Sequence, residues 1–352
     1  MLNPKMNRQP KALALISGGL DSLLAAKVVL EQGVHVEGVN FFTGFCVEGH
    51  THAIRRNNRA RPQRNNALWV AEQLGMRLHI IDIVDEYKDV VLNPQYGYGA
   101  NLNPCLDCKI FMVRKAREWI EQHGFDFVIT GEVVGQRPKS QRKDTMPLVQ
   151  RDAGIGDRLL RPLCARNLPP TLPEREGWVD RERLHGFSGR SRKPQMALAA
   201  QYGFSDYAQP AGGCCFLTDG NYTVKLRDLW ASRGGRRYEL DDIMLLKVGR
   251  HIRPAPHYKV IVAREEGESN YLAGYRRQFP SLVTVSHSGP LALIDGEATE
   301  ADIALAARIV ARYGQGRAAA EVELDYAPAG GDARRLRVVP LSADELPRDW
   351  IL

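Results

Sequence analysis

At 352 residues, with 44% hydrophobic and 25% charged side chains, the chain has the composition of a globular protein with room for two domains. No run approaches the roughly 18 apolar residues of a membrane-spanning helix. The polar first ten residues lack the apolar core of a secretory signal, so the expectation is a cytoplasmic protein.

The formal net charge is +7. Residues 133–193 hold 14 Lys/Arg against 7 Asp/Glu, and a second basic cluster comprises Arg55, Arg56, Arg59, Arg61 and Arg64. Localised positive charge of this kind fits a polyanionic partner rather than an even solvating surface.

In chain order, Ala12 to Ile16 is a short, uniformly apolar run that predicts a buried parallel strand. It leads into Ser17-Gly18-Gly19 and then into a helix over Leu23 to Leu30, with Asp21 and Ser22 placed to cap it. Two glycines at a strand-to-helix turn let backbone approach a ligand, and the helix N-terminus favours an anion, phosphate above all. No Gly-Lys-Ser/Thr follows, which excludes the Walker type of phosphate loop.

Val34 to Phe42 predicts a second strand whose carboxyl end carries Phe41 and Phe42; either ring could pack on a base or fill the core. Residues 43–63 form a polar, arginine-rich loop. A helix over Asn65 to Leu74, stopped by Gly75, precedes a third strand from Leu78 to Val84. A loop from Tyr96 to Asn103 leads to Cys105-Leu-Asp-Cys108, which opens a helix ending at His123-Gly124. Phe125 to Thr130 predicts another buried strand, stopping at Thr130-Gly131-Glu132. Strands alternating with helices over residues 11–131 predict an α/β, doubly wound parallel sheet.

Residues 132–193, rich in Arg, Gly and Pro and poor in periodicity, predict a mobile substrate-binding insertion or a partly disordered linker. Pro194 to Tyr202 predicts a short helix within a connecting segment, residues 194–240, that also carries Cys214 and Cys215. Residues 241–352 predict a smaller α+β domain, with strands near 258–263, 282–286, 292–295 and 320–324 and one amphipathic helix from Glu300 to Tyr313.

The cysteines carry the remaining chemistry. A Cys-x-x-Cys pair at a helix N-terminus converges two thiolates on zinc, an iron–sulfur cluster or a redox disulfide. Neighbouring side chains diverge, so one of Cys214 and Cys215 is expected to face Cys105 and Cys108 while the other points away. Three thiolates around a cubane would leave one iron open for chemistry.

Ser17-Gly-Gly-Leu-Asp-Ser22 resembles the PP-loop of the N-type ATP pyrophosphatases, whose fold is the adenine nucleotide α-hydrolase type. The ordered set of that motif, Asn103-Pro104-x-x-x-Cys108, Thr130-Gly131 and Gly213-Cys214-Cys215-Phe216 resembles the tRNA 2-thiouridylase group of PP-loop tRNA sulfurtransferases, up to roughly residue 230. The resemblance implies ATP and Mg2+ at Ser17, Gly18, Gly19, Asp21, Ser22, Phe41 and Gly131, with Asp21, Cys108 and Cys215 catalytic. Cys105 stands where many members have aspartate. Cys-x-x-Cys with one distal cysteine is similar to the cluster-dependent thiolation enzymes, which implies a [4Fe-4S] cluster on Cys105, Cys108 and Cys215. The implied reaction adenylates a uridine carbonyl oxygen of tRNA and replaces it with sulfur. Sulfide or a persulfide carrier supplies that sulfur, as hydrosulfide on the open iron or as persulfide on Cys215. Two other readings remain open: an amidating PP-loop ligase, and a nucleotide-binding redox sensor that binds RNA.

Overall fold

The computed structural model describes residues 8–47, 64–207 and 214–352, and these fall into two compact units that meet in sequence at Thr218 and Asp219. Arg55, Arg56, Arg59, Arg61 and Gly213 lie outside the described residues.

The first unit is built on a five-stranded sheet. Its strands are β1 (Lys11–Leu15), β2 (His35–Phe42), β3 (Leu78–Asp82), β4 (Phe127–Ile129) and β5 (Leu159–Leu160). All pairings are parallel and the spatial order is β3-β2-β1-β4-β5. The chain therefore steps outward from β1 to β3, then crosses over to β4. Such an order creates a crevice at the carboxyl ends of β1 and β4, where open α/β sheets bind ligands.

Apolar layers cover both faces. One joins Ala12, Ala14 and Ile129 to α1 (Leu20–Leu30) and α2 (Asn66–Leu74); the other joins Leu13, Val39 and Val128 to Ile110, Val113 and Ile120 of a long helix described below. Strands buried on both faces read as continuous hydrophobic runs, as β1 does. The Asn65 side chain accepts the Ala67 and Leu68 N–H groups at the start of α2, and Gly75 ends it with φ of 60°.

Two segments differ from expectation. The third strand stops at Asp82, because the Asp82 carboxylate accepts the Val84 N–H at 2.9 Å and turns the chain into α3 (Val84–Leu92). Val84, Tyr87 and Val91 form its buried stripe, so the apolar run Leu78–Val84 spans a strand end and a helix start. The 132–193 region is ordered rather than a linker. It contributes α5 (Thr145–Ala153), strand β5 and α6 (Leu172–Arg175), and it inserts Val133, Leu160, Leu163, Val179 and Leu184 into the core. Its arginines act largely as internal cross-links. Arg181 donates to the carbonyls of Ala165 and Leu168 at 3.0 and 2.9 Å, and its guanidinium also pairs with Glu174.

The remaining helices of this unit are α4 (Cys105–His123), which supplies the long buried stripe just named, and α7 (Lys193–Gln201). The second unit begins with α8 (Gly220–Ser232) and α9 (Leu240–Leu245). A six-stranded antiparallel sheet follows, comprising β6 (Arg250–Ala255), β7 (Tyr258–Val262), β8 (Ser281–Thr284), β9 (Leu291–Gly296), β10 (Val322–Ala327) and β11 (Arg334–Val338). Its order is β11-β10-β8-β9-β7-β6. After α10 (Glu266–Ala273), the predicted amphipathic helix is α11 (Glu300–Arg312), held at its start by a Thr299/Asp302 capping box. The fold class is thus α/β with a C-terminal antiparallel α+β unit; β6, with two arginines and a proline, and β11, with three arginines in five residues, had no clear alternation to reveal them.

Candidate functional site

The turn between β1 and α1 is shaped as an anion cradle. Gly18 sits at φ of 79°, a left-handed conformation that favours glycine. The first turn of α1 carries no side-chain cap. Asp21 and Ser22 therefore do not cap the helix as expected: Ser22 Oγ instead donates to the Gly19 carbonyl at 2.8 Å, with Ser17 Oγ 3.5 Å away. The uncapped N–H groups remain available to a bound anion.

Asp21 is held from one side. Gln136 Nε2 donates to Asp21 Oδ2 at 2.6 Å, and Gln195 of α7 donates in turn to Gln136 Oε1 at 2.9 Å. The other carboxylate oxygen, Asp21 Oδ1, is buried with no partner among the described residues. A buried acceptor left open is costly unless a cation or donor completes it, and this one fits a magnesium ion brought with nucleotide phosphates. Gly131 explains why this turn is so close-packed. A Cβ there would lie 2.5 Å from the Asp21 carbonyl carbon and 2.7 Å from the Ser22 nitrogen. Only glycine lets the end of β4 pass the first turn of α1.

Glu132, next in the chain, is 1% exposed and accepts from Thr130 Oγ1 at 2.9 Å and from Arg161 Nε at 3.2 Å. Burial pushes its carboxyl up, but Lys109 and Arg161 together outweigh burial and hold it below the usual carboxylate range. Phe41 is buried in the second apolar layer with Leu13, Val128 and Ile110, which is the core-filling role; Phe42 is partly exposed at the same sheet edge.

Beside the cradle lies a pocket of thiols. Cys105 and Cys108 open α4, as the spacing predicts, and Cys105 Sγ lies 3.3 Å from Ser140 Oγ. Cys215 comes back to them by a backbone route: it forms an isolated antiparallel bridge with Cys46, flanked by Phe216 N–H to Phe45 O at 2.9 Å and Val47 N–H to Cys214 O at 3.4 Å. Cys46, just past the carboxyl end of β2, joins the pocket although its spacing gave no metal or redox pattern. Tyr87 of α3, fully buried, hydrogen-bonds the Cys108 thiol. Burial, together with the neighbouring thiols, pushes Cys108 up to about 12.

Of the two adjacent cysteines, Cys214 is exposed and Cys215 partly buried. The chain leaves the Cys46 bridge at once for the 3-10 turn Phe216–Thr218, so strict strand alternation fails there. The Cys214 thiol is hydrogen-bonded by Cys215 and by the Arg137 guanidinium, which draws it down to about 5. Cys215, donating to that thiolate, is raised in turn. Arg137 also feels the charges of Cys105 and of Asp21, which hold its guanidinium above its ordinary range together with Cys214. Sequence reasoning missed Arg137 and Tyr87; the Gly135-Gln-Arg137 run six residues past Gly131 was the only available signal for the former. Cys164 is apart from this pocket, buried, with its thiol donating to the Glu132 carbonyl at 3.2 Å. Among the described residues, no three His, Cys, Asp or Glu side chains surround a point where a single metal ion could sit.

Comparison with known proteins matches this geometry to a family. Residues 10–152 match the family described as the tRNA methyl transferase HUP domain. That match runs through the first unit from β1 to α5. Residues 249–351 match the NFACT protein RNA binding domain. The "tRNA-specific 2-thiouridylase MnmA" of Petrotoga mobilis is 33% identical over 34% of this chain and 35% of its own length. The protein of the same name from Roseiflexus sp. is 28% identical over 68% of this chain and 66% of its own. The chain thus spans from about a third to about two thirds of these curated relatives. A 4-thiouridine synthetase solved with RNA and ATP aligns over 56% of this chain and 54% of its own at 21% identity, with a TM-score of 0.34. No helix among the described residues is long and apolar enough to cross a membrane.

Proposed function

We propose that this protein is an ATP-dependent tRNA sulfurtransferase, converting a uridine of tRNA to 2-thiouridine or 4-thiouridine. The observation that carries the reading is Asp21 at the start of α1, whose Oδ1 is buried and open while Gln136 holds its Oδ2, with Arg137, next in the chain, drawn electrostatically to Cys214, Cys105 and Asp21. Nucleotide activation and sulfur chemistry would then adjoin in one unit, as a two-step reaction on one atom requires.

In the first step the uridine carbonyl oxygen attacks the α-phosphorus of ATP and pyrophosphate leaves. Ser17, Gly18, Gly19 and Ser22 cradle the phosphates, and Asp21 Oδ1 takes the magnesium that offsets their charge. In the second step sulfur attacks the activated carbon and AMP departs. Cys105, Cys108 and Cys215 are the candidate ligands of a [4Fe-4S] cluster, since the donor set is thiolate only and the pocket is partly buried. If bound by these three residues, such a cluster would supply sulfide for the second step. Glu132, Thr130 and Arg161 fix the end of β4 where Gly131 packs against the cradle. The exposed part of the basic segment and the 249–351 region hold the RNA.

The test is twofold. Purified protein should form AMP and pyrophosphate only when tRNA is added, and tRNA from a deletion strain should lack one thiouridine by nucleoside mass spectrometry. An unchanged nucleoside profile together with tRNA-independent ATP cleavage would remove the proposal. Iron and acid-labile sulfide analysis after anaerobic purification tests the cluster separately: Cys105→Ala, Cys108→Ala and Cys215→Ala should each lose it.

A further inference from the structure

We propose that Cys46 and Cys215 form a reversible cross-strand disulfide, a redox site distinct from the Cys-x-x-Cys pair. The two residues face each other in the antiparallel bridge, and the flanking hydrogen bonds, Phe216 N–H to Phe45 O and Val47 N–H to Cys214 O, define it as the non-hydrogen-bonded type. In such a pair the Cα atoms stand about 4.5 Å apart and the side chains leave the same face of the ladder. That separation lies at the short end of the roughly 4.4–6.8 Å range that a disulfide spans.

The alternatives fit less well. Adjacent Cys214 and Cys215 would need a distorted peptide. Cys105 and Cys108 are already committed to the first turn of α4, where Cys105 meets Ser140 and Cys108 meets Tyr87. Cys46 makes a long contact of 3.4 Å with Thr43 Oγ1; Cys215 makes one of 3.7 Å with Asn103 Oδ1 besides its pairing with Cys214. Both are partly accessible.

The oxidant is a small-molecule disulfide. One thiolate of the pair attacks it, forming a mixed disulfide and expelling one thiolate. The second cysteine then attacks the first at Sγ, forming the Cys46–Cys215 bond and expelling the other thiolate. The two protons lost by Cys46 and Cys215 are taken up by the two expelled thiolates, so the oxidant is reduced to two thiols. The pair stands on geometry alone; its consequence, that Cys215 is withdrawn from ligation or sulfur transfer, rests on the proposed thiolation.

Full-length protein purified anaerobically is treated with glutathione disulfide, blocked with N-ethylmaleimide and mapped by peptide mass spectrometry without reduction. The expected major cross-link joins the Cys46 and Cys215 peptides and disappears with dithiothreitol. Cys46→Ser should lose it and accumulate at least tenfold more glutathione on Cys215. A dominant Cys105–Cys108 or Cys108–Cys215 cross-link, or no cross-link at all, overturns the proposal. No ATP or tRNA enters the assay, so its failure is separate from any failure of thiolation.

Discussion

Asp21 has one carboxylate oxygen paired with Gln136 and the other buried and open, a state that makes sense only if a ligand completes it. Asp21→Ala should therefore abolish tRNA-dependent AMP formation while leaving the melting temperature within a few degrees, and Ser17→Ala should act in the same direction. Wild-type turnover in both would detach the nucleotide site from this turn. Gly131 offers a sharper test, because its constraint is steric. The added methyl of Gly131→Ala must push against backbone at 2.5 Å rather than against a flexible side-chain end. Overpacking of this kind costs roughly 1–3 kcal/mol, and the strain falls on the cradle itself. ATP affinity, measured by calorimetry, should drop at least tenfold in that variant; unchanged affinity would mean that the strand end can move aside.

At the level of elements, the basic segment divides into two populations. Arg161 and Arg181 are structural, one paired with Glu132 and the other bridging carbonyls. Arg158 and Arg175 pair with Glu121 and Asp157. Lys143 and Arg190 are exposed and are the better candidates for binding phosphate. Charge reversal at both should weaken tRNA binding and flatten its dependence on salt, by about one unit of logarithmic slope for each phosphate no longer neutralised. Arg181→Ala should instead lower the melting temperature and leave the salt slope alone. If the two variants behave alike, the division is wrong.

On the scale of the whole molecule, one buried amine makes stability depend on pH. Lys225 of α8 is buried, with its ammonium donating to the carbonyls of Leu246 and Gly249 at 3.3 and 3.5 Å. Burial brings it down to about 8. Below pH 8 it is charged in both native and unfolded chains, and the burial penalty, on the order of 3 kcal/mol, is fully present. Between that value and its ordinary range near 10.5, the unfolded chain binds the extra proton, so stability contributed by this group rises with pH. Denaturant melts of full-length wild type and Lys225→Met should differ in slope over pH 8–10 by up to about 1.4 kcal/mol per pH unit. Parallel curves would mean that the amine remains charged in the native state.

The chain's own pattern was enough for the PP-loop turn, the parallel strand-helix alternation around it and the placing of Cys105 and Cys108 at a helix start. Each is a local matter: glycine freedom, apolar period and helix polarity act over a few residues and need no partner from elsewhere. Local pattern also misled, in the run Leu78–Val84, where one carboxylate, Asp82, ended a strand that composition alone would have continued. What only the tertiary structure decided lies between distant segments. Cys46 reached the thiol pocket through a two-residue bridge to Cys215, Arg137 came within the electrostatic reach of Asp21 and Cys214, and the arginine-rich 132–193 stretch became ordered by bonding its guanidiniums to its own carbonyls and acids. None of these has a sequence period, because each depends on where chain ends far apart in sequence are carried by a shared sheet and core. A side chain's chemistry is written in the sequence; its partner is chosen by packing.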